Sequence, residues 1–314
     1  MNFRMLGKTG LQVSLASFGT GGPSQFGQRK GLEQKAQTLL VRKSLDLGIN
    51  LFDTHEGYGE SETILGNSLK GVRRDTYNIC TKWSYQNPDG SMKCGSEFEE
   101  SVEKSLQRLQ TDYIDIMMFH GVMAEDYTIV VDSYMEVMNK LIRAGKIRFK
   151  GFSTKYVNDP AQESPPIALK TDPLIWDVLM LKYGILNQLA ASETLPLAMK
   201  HSIGILNMAS VRIKLPNPKL LEETLMEWKN KGYISHNALP ERFPLDWLIH
   251  DDVDSVISAA YKFAASHEAI SSVIIGTSSI DHLESNIAAL RNPSLPRKDY
   301  ERLITLFGNI IEYA

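Results

Sequence analysis

Tyr113-Ile114-Asp115-Ile116-Met117-Met118-Phe119-His120 is the stretch on which the fold turns. From Tyr113 to Phe119 it is apolar but for one aspartate, the pattern of a parallel strand covered on both faces. An amphipathic stretch follows over 131–144 and closes at Gly145, a residue suited to ending a helix. A second strand-like run, Ile147–Phe152, comes next. Strand, helix and strand in that order form one crossover unit, which is how parallel strands are joined.

The unit recurs on both sides. Upstream, Leu15–Phe18 runs into Gly19-Thr20-Gly21-Gly22, a helix is expected over 33–47, and Ile49–Asp53 is a strand that ends on a polar residue. Ser61–Lys70 reads as a short helix with a serine cap. Tyr77–Thr81 is strand-like, and Glu97–Leu109 is helical with Phe98, Val102, Leu106 and Leu109 on one face. Downstream, Val178–Met180, Ile203–Asn207 and Ser272–Ile275 are strand candidates, with helices expected at 188–200, 252–267 and 280–290. No composition break or Gly/Ser linker divides the series, so residues 1–314 are expected to form one domain. About eight β–α units in a chain of this length favour a closed (β/α)8 TIM barrel over an open sheet. Phe3 to Ser14 reads as an N-terminal β-hairpin turning at Lys8-Thr9-Gly10, placed to plug the bottom of the barrel. Segment 210–250, with a helix at 219–230 and a proline-containing loop, is expected to be a long substrate-side excursion after strand seven.

Composition excludes several functions. The 314 residues carry 34 basic and 37 acidic side chains, a formal −3, with 43% hydrophobic and 23% charged residues. That is a globular composition and not a disordered one. It also lacks the basic field that nucleic-acid binding draws on. Cys80 and Cys94 are the two cysteines, and no C-x-x-C or H-E-x-x-H spacing signals a metal. Cys80 reads as a small buried hydrophobe, and Cys94 has no base near it in sequence to make it a nucleophile. The start of the chain is no apolar leader, and no stretch approaches 18 uninterrupted apolar residues. A cytoplasmic protein acting on small molecules, with no nucleic-acid or membrane partner, is the expectation.

In a barrel of this kind, chemistry sits at the carboxyl ends of the strands. The residues there are Gly19 and Thr20, Asp53, Lys82, His120, Ser153 and Thr154, Tyr183, Ser210, and Gly276 with Thr277. Tyr58 follows Asp53 in Asp53-Thr54-His55-Glu56-Gly57-Tyr58-Gly59. Each has a bland reading alone: Asp53 a helix cap, Tyr58 a loop aromatic, Lys82 a surface amine, His120 a satisfied core histidine. Together they bring an acid, a phenol, an amine and an imidazole to one rim, a set suited to proton transfer coupled to hydride transfer. A phenol with a pKa of about 10 is a poor acid or base at neutral pH. A nearby ammonium lowers that value by roughly 1–3 units, so Lys82 is expected to tune Tyr58 and Asp53 to hold Lys82 charged. His120 would fix the substrate oxygen by a hydrogen bond.

The chain resembles the aldo-keto reductase superfamily over nearly its whole length. The resemblance rests on Leu6 to Ser14, Phe52-Asp53-Thr54 through Tyr58-Gly59, Ser61-Glu62 through Leu65-Gly66, and Thr81-Lys82. It continues in Asp112 to Asp115 with His120, Gly145 to Arg148, Gly151-Phe152-Ser153, and Leu283 to Asn286. The resemblance implies a catalytic tetrad of Asp53, Tyr58, Lys82 and His120 and a nicotinamide cofactor. That cofactor would be held by Gly19, Thr20, Asp53, Ser153, Thr154, Tyr183, Ser210, Gly276, Thr277, Ser278, His282 and Asn286. The turn at Gly19-Thr20-Gly21-Gly22 does not have the G-x-G-x-x-G spacing of a Rossmann loop.

The chain departs from the family pattern at several places. Ser153 is followed by Thr154 where many members have Asn, and Met180 precedes Tyr183 where many have Gln. After the eighth strand, NADPH-preferring members carry a Lys and an Arg that grip the 2′-phosphate; here those positions are Gly276 and His282, with Asp281 alongside. NAD is therefore expected over NADP. Ser278 could equally cap the helix through Ser278-x-x-Asp281. The runs Trp176–Leu179, Tyr183–Asn187 and Gly276–Ser279 look most like the L-galactose and D-threo-aldose dehydrogenase branch, which implies oxidation of a sugar to a lactone. The rival expectations are an NADPH-dependent aldehyde reductase of broad range, and a nucleotide-binding sensor or channel-type subunit without turnover. A barrel hydrolase would need paired rim carboxylates or a metal cluster. Phe26, Trp83 and Trp247, with Tyr85 and Tyr156, are aromatic candidates for substrate contact. His55 stands where many members have a small residue and is expected either to line the pocket or to face solvent as a loop histidine.

Overall fold

A computed structural model describes residues 1–313. The chain opens with β1 (Phe3–Met5) and β2 (Gln12–Ser14), an antiparallel pair, and then enters β3 (Ala16–Gly19). α1 (Gln34–Asp46), β4 (Leu51–Asp53), α2 (Ser61–Leu69), β5 (Asn78–Trp83) and α3 (Gly95–Leu109) follow. Next come β6 (Ile114–Val122), α4 (Tyr127–Arg143), β7 (Ile147–Thr154), α5 (Ser164–Thr171), β8 (Val178–Lys182), α6 (Thr194–Lys200) and β9 (Gly204–Met208). The chain finishes with α7 (Pro218–Asn230), α8 (Val256–Ser266), β10 (Ile270–Ile275), α9 (Ile280–Arg291) and α10 (Arg297–Phe307). Strands β3 to β10 close into one parallel barrel, β10 pairing with β3. This is the expected (β/α)8 barrel with its N-terminal hairpin.

The alternation of side chains along each strand sets which residues meet inside. Leu51, Cys80, Ile116, Met118, Val178, Met180 and Leu206 pack together in the barrel interior, and their neighbours Phe52, Ile79, Met117, Phe119 and Leu179 pack outward against the helices. Residues two apart share a face. Asp53, Lys82 and His120 each lie two residues beyond an inward-facing Leu51, Cys80 or Met118, so parity alone turns all three into the upper mouth. The hairpin closes the other end. Leu6, Leu11 and Val13 join the interior cluster, and Lys8 donates its backbone N–H to Ser202 O at 2.6 Å. Gly7 sits at φ +51°, where a Cβ would lie 2.2 Å from Gly204 N, so no side chain fits at that junction.

Asp115, the aspartate that breaks the apolar run, is fully buried for a structural reason. Its carboxylate accepts from Arg74 at 2.6 Å, Arg148 at 2.7 Å and the Ile79 N–H at 2.9 Å, tying β5 to β6 near the base. Some boundaries differ from the sequence expectation. The helix expected at 188–200 is a 3-10 turn, Leu189–Ala191, followed by the shorter α6. Ser61 is the first helical residue and not the cap; its Oγ donates to Tyr58 O at 2.8 Å. α5 and α10 are additional: the first carries Pro165-Pro166 in its first turn and the second starts directly after Pro296, so both look like loop in the sequence. Segment 210–250 is a packed excursion, with Leu215, Leu239, Leu245 and Leu248 buried beside α7. No helix among the described residues is long and apolar enough to cross a membrane.

Candidate active site

Four side chains meet at the carboxyl end of the barrel. β4 pairs with β5 so that Asp53 is level with Cys80, which puts Lys82 two residues higher on the same inward face. The Lys82 ammonium donates to Asp53 Oδ1 at 2.5 Å and to Thr54 O at 2.7 Å and is 1% exposed. Tyr58 arrives from the turn after β4, where Gln28 Nε2 donates to its carbonyl at 2.9 Å and Gly59 supplies a left-handed φ of +59°. Its ring lies under Gly21, where a Cβ would stand 2.5 Å from Tyr58 Cε2. Lys82 Nζ is 5.5 Å from the Tyr58 ring centre. The His120 ring stands edge-to-face with Tyr58 at 6.3 Å, and the Gly121 N–H beside it donates to Ser153 Oγ at 2.9 Å.

The electrostatics follow from burying these groups together. Burial works against charge on Lys82, yet the adjacent Asp53 outweighs it and holds the amine protonated, above its usual 10.5. Burial raises the Asp53 carboxyl, with Lys82 pulling it back. The Tyr58 phenol is pushed above its ordinary value by burial; Lys82 lowers it and Asp53 raises it again. The sequence expectation that Lys82 would bring Tyr58 down towards neutrality is therefore corrected. The lysine's charge is largely compensated by Asp53, and its hydrogen bonds go to Asp53 and Thr54. His120 is depressed to about 3, first by burial and then by Lys82 and Lys155, so it is a neutral imidazole.

These groups open into a cavity of about 1390 Å³, which runs over the mouth to the start of α9. Gly19, Asp53, Ser153, Thr154 and Ser210 line it, and so do Gly276, Thr277, Ser278, His282 and Asn286 at its far end. Thr20 and Tyr183 do not reach it. Thr20 is fully buried and gives its N–H to Asp53 O at 2.9 Å. Tyr183 stacks on Phe263 at 5.4 Å and shares a hydrogen bond with Tyr300 Oη at 3.1 Å. The cap of α9 is Ser279, whose side chain accepts from His282 N, so Ser278 is left free to face the cavity.

The three substrate candidates lie elsewhere. Trp83 is out of phase with Lys82 on β5 and points at the helices, against Phe98 at 4.8 Å and Tyr134 at 5.0 Å. Phe26 is buried edge-on to Phe18 at 5.4 Å. Trp247 packs on the core beneath Arg302, whose guanidinium is 4.0 Å from the ring centre. Tyr85 and Tyr156 do line the cavity. Sequence reasoning passed over Gly21, Lys93, Lys155 and Arg212, which line it too. Arg212 sits at φ +51° in a loop without periodicity, so only its place on the excursion after strand seven marks it.

The cavity fits a nicotinamide dinucleotide. It exceeds the roughly 300–1,000 Å³ of a site for one drug-sized ligand, leaving space for a long cofactor and a small substrate. Its far end presents hydroxyls and the N-terminus of α9, a favourable place for phosphate. Among the described residues, the part of that end built from 276–286 contributes no Lys or Arg to the lining. Lys43, near α9, is paired with Glu284 at 2.6 Å.

Comparison with known proteins agrees with this fold. Residues 17–306 match the model of the aldo/keto reductase family. The chain is 29% identical to L-galactose dehydrogenase of Arabidopsis thaliana, over 96% of this chain and 92% of that protein. It is 25% identical to a probable voltage-gated potassium channel subunit beta of Oryza sativa subsp. japonica, over 92% of this chain and 91% of that one. Among solved structures, an aldo-keto reductase from Bacillus halodurans in its holo form superposes with a TM-score of 0.73 at 25% identity, covering 100% of this chain and 97% of that chain.

Proposed function

The chain belongs to the aldo/keto reductase family and is a nicotinamide-dependent oxidoreductase of carbonyl and CH–OH groups, and from that premise we propose that it is an NAD-preferring aldose dehydrogenase. The observation that carries the site assignment is the convergence of Asp53, Tyr58, Lys82 and His120 at one end of a cavity large enough for cofactor and substrate. The similarity to a protein named L-galactose dehydrogenase supports a sugar substrate. The 276–286 lining without Lys or Arg supports NAD, because a 2′-phosphate is best met by fixed cations.

A nicotinamide cofactor held along Gly19, Ser153, Thr154, Ser210 and the 276–286 lining would supply or accept the hydride. The chain's own residues manage the proton and the charge. In reduction Tyr58 donates its phenolic proton to the carbonyl oxygen; in oxidation it takes the hydroxyl proton back. Lys82 stabilises the phenolate left behind, and Asp53 keeps that lysine charged and aimed. His120, neutral, donates a hydrogen bond to the same substrate oxygen and orients it. One observation favours the reductive direction of the rival aldehyde-reductase reading, though not its cofactor: burial keeps Tyr58 protonated, the form that donates.

The experiment is a panel of aldoses and aldehydes run with both cofactors, beside fluorescence titrations with NADH and NADPH. Aldose oxidation with NAD, and NADH binding tenfold tighter than NADPH, is the expected result. Tenfold tighter NADPH binding with aldehyde reduction overturns the cofactor and substrate assignment. Tight cofactor binding with no turnover on the panel supports a regulatory subunit.

A further inference from the structure

His55 follows the Asp53-Thr54 pair but contributes nothing to the cavity lining and is 5% exposed. Its ring lies 4.0 Å from the His120 ring, tilted by 43°, and stands edge-to-face with Tyr58 at 4.9 Å. Its Nε2 is 3.0 Å from Ser84 Oγ, and its Nδ1 is buried without a partner among the described residues. Gly57 makes space for it: a Cβ there would stand 2.8 Å from His55 Cε1. A buried polar atom left unpaired costs roughly 1–3 kcal/mol, and a small apolar residue would avoid that cost.

Resting on the function proposed above, we propose that His55 is a positioning residue, a second imidazole wedged behind His120 and Tyr58 that fixes the orientation of both at the substrate oxygen. The wedge also acts through charge. His55 is surrounded by His120, Lys82 and Lys93, and His120 by Lys82 and Lys155. The nearby acids, Asp53 and Glu56, are engaged by Lys82 and by Lys93 with Ser101. Burial and those cations hold both imidazoles neutral, so His120 orients the substrate while Tyr58 handles the proton. Removing the His55 ring admits water behind His120 and lets it take up a proton at a higher pH.

The test uses His55→Ala, His55→Phe, Gly57→Ala and the His55→Ala/Gly57→Ala pair in the full chain. His55→Ala is expected to lower kcat about 10–100-fold, as misplacement of a reacting group by about 1 Å does, with cofactor Kd within twofold. His55→Phe, which keeps the wedge without a titratable ring, recovers most of kcat. By NMR the His120 ring, assigned through His120→Asn, does not titrate between pH 5 and 9 in the unsubstituted protein and enters that range in His55→Ala. Gly57→Ala lowers Tm, and His55→Ala relieves that loss in the pair. Unchanged kcat in His55→Ala, an identical His120 titration, or additive Tm losses in the pair would each overturn the proposal. An unsubstituted protein that turns over nothing refutes the proposed function, while the titration and the Tm coupling still decide the role of His55.

Discussion

Replacing Asp53 by Asn isolates the charge at the centre of the site. Lys82 is 1% exposed and has two acceptors, Asp53 Oδ1 and Thr54 O, so in Asp53→Asn it keeps a carbonyl and loses its counter-charge. Breaking a buried ion pair from one side costs about 3–5 kcal/mol. Unfolding entropy of about 2.1 cal/mol/K per residue, scaled to a chain this long, converts that loss to a fall in Tm of about 5–8 °C. The amine caps that cost by shedding its proton, and Tyr58 then loses the ammonium that pulls its phenol down. A cation at this range is worth roughly 1–3 pKa units, and the loss of Asp53's opposing charge offsets part of that, so turnover at pH 7 should fall about 10–100-fold. Asp53→Asn/Lys82→Met removes both charges; it should recover most of the Tm and none of the turnover. Scanning calorimetry and stopped-flow cofactor absorbance read the two effects separately. An Asp53→Asn protein with unchanged Tm and turnover would refute the reasoning.

Other substitutions test the remaining placements. Trp83→Phe should lower Tm by a few degrees and leave KM within twofold, because Trp83 packs on Phe98 and Tyr134; a tenfold rise in KM at constant Tm would return it to the substrate site. Glu62→Gln should lower Tm by about 2–5 °C in calorimetry, since the buried carboxylate accepts from Thr81, Ser105 and Arg108 and charged hydrogen bonds are worth about 1.5–3 kcal/mol. His250 bridges Asp251 and Asp299, hydrogen bonds that raise it above its usual 6.5. A raised value means the folded state holds the proton more tightly, so this stabilisation is complete below about pH 6.5 and fades as pH rises through the higher value. His250→Asn should therefore melt below the unsubstituted protein at pH 6 and match it at pH 9; a pH-independent difference would contradict the assignment.

The barrel was legible because its strands are short, apolar and buried on both faces, and because the tetrad residues stand where those runs end. The same alternation misled the choice of aromatics. Trp83 follows Lys82 directly, so one of the pair had to point inward and the other outward, and only the register with β4 and β6 shows which. Tyr183 reads as a rim residue until Phe263 and Tyr300, from α8 and α10, claim its ring and hydroxyl. α10 itself was hidden behind Pro296. The upward shift of Tyr58 depends on the depth of its burial and on Asp53 neutralising Lys82, and motif spacing encodes neither. His55 stood out in the sequence as an oddity; its contact with His120 joins the turn after β4 to the end of β6 and exists only in three dimensions.

Tyr58→Phe removes one hydroxyl from the end of the cavity and leaves the ring, the Asp53–Lys82 pair and the path to α9 in place. The decisive measurement is its single-turnover rate of hydride transfer beside its cofactor Kd, on whichever substrate the panel identifies. A proton-transfer role for Tyr58 predicts a rate loss of at least about 100-fold with cofactor affinity retained. Full-rate transfer by Tyr58→Phe would contradict it and leave the four-residue cluster without its central chemistry.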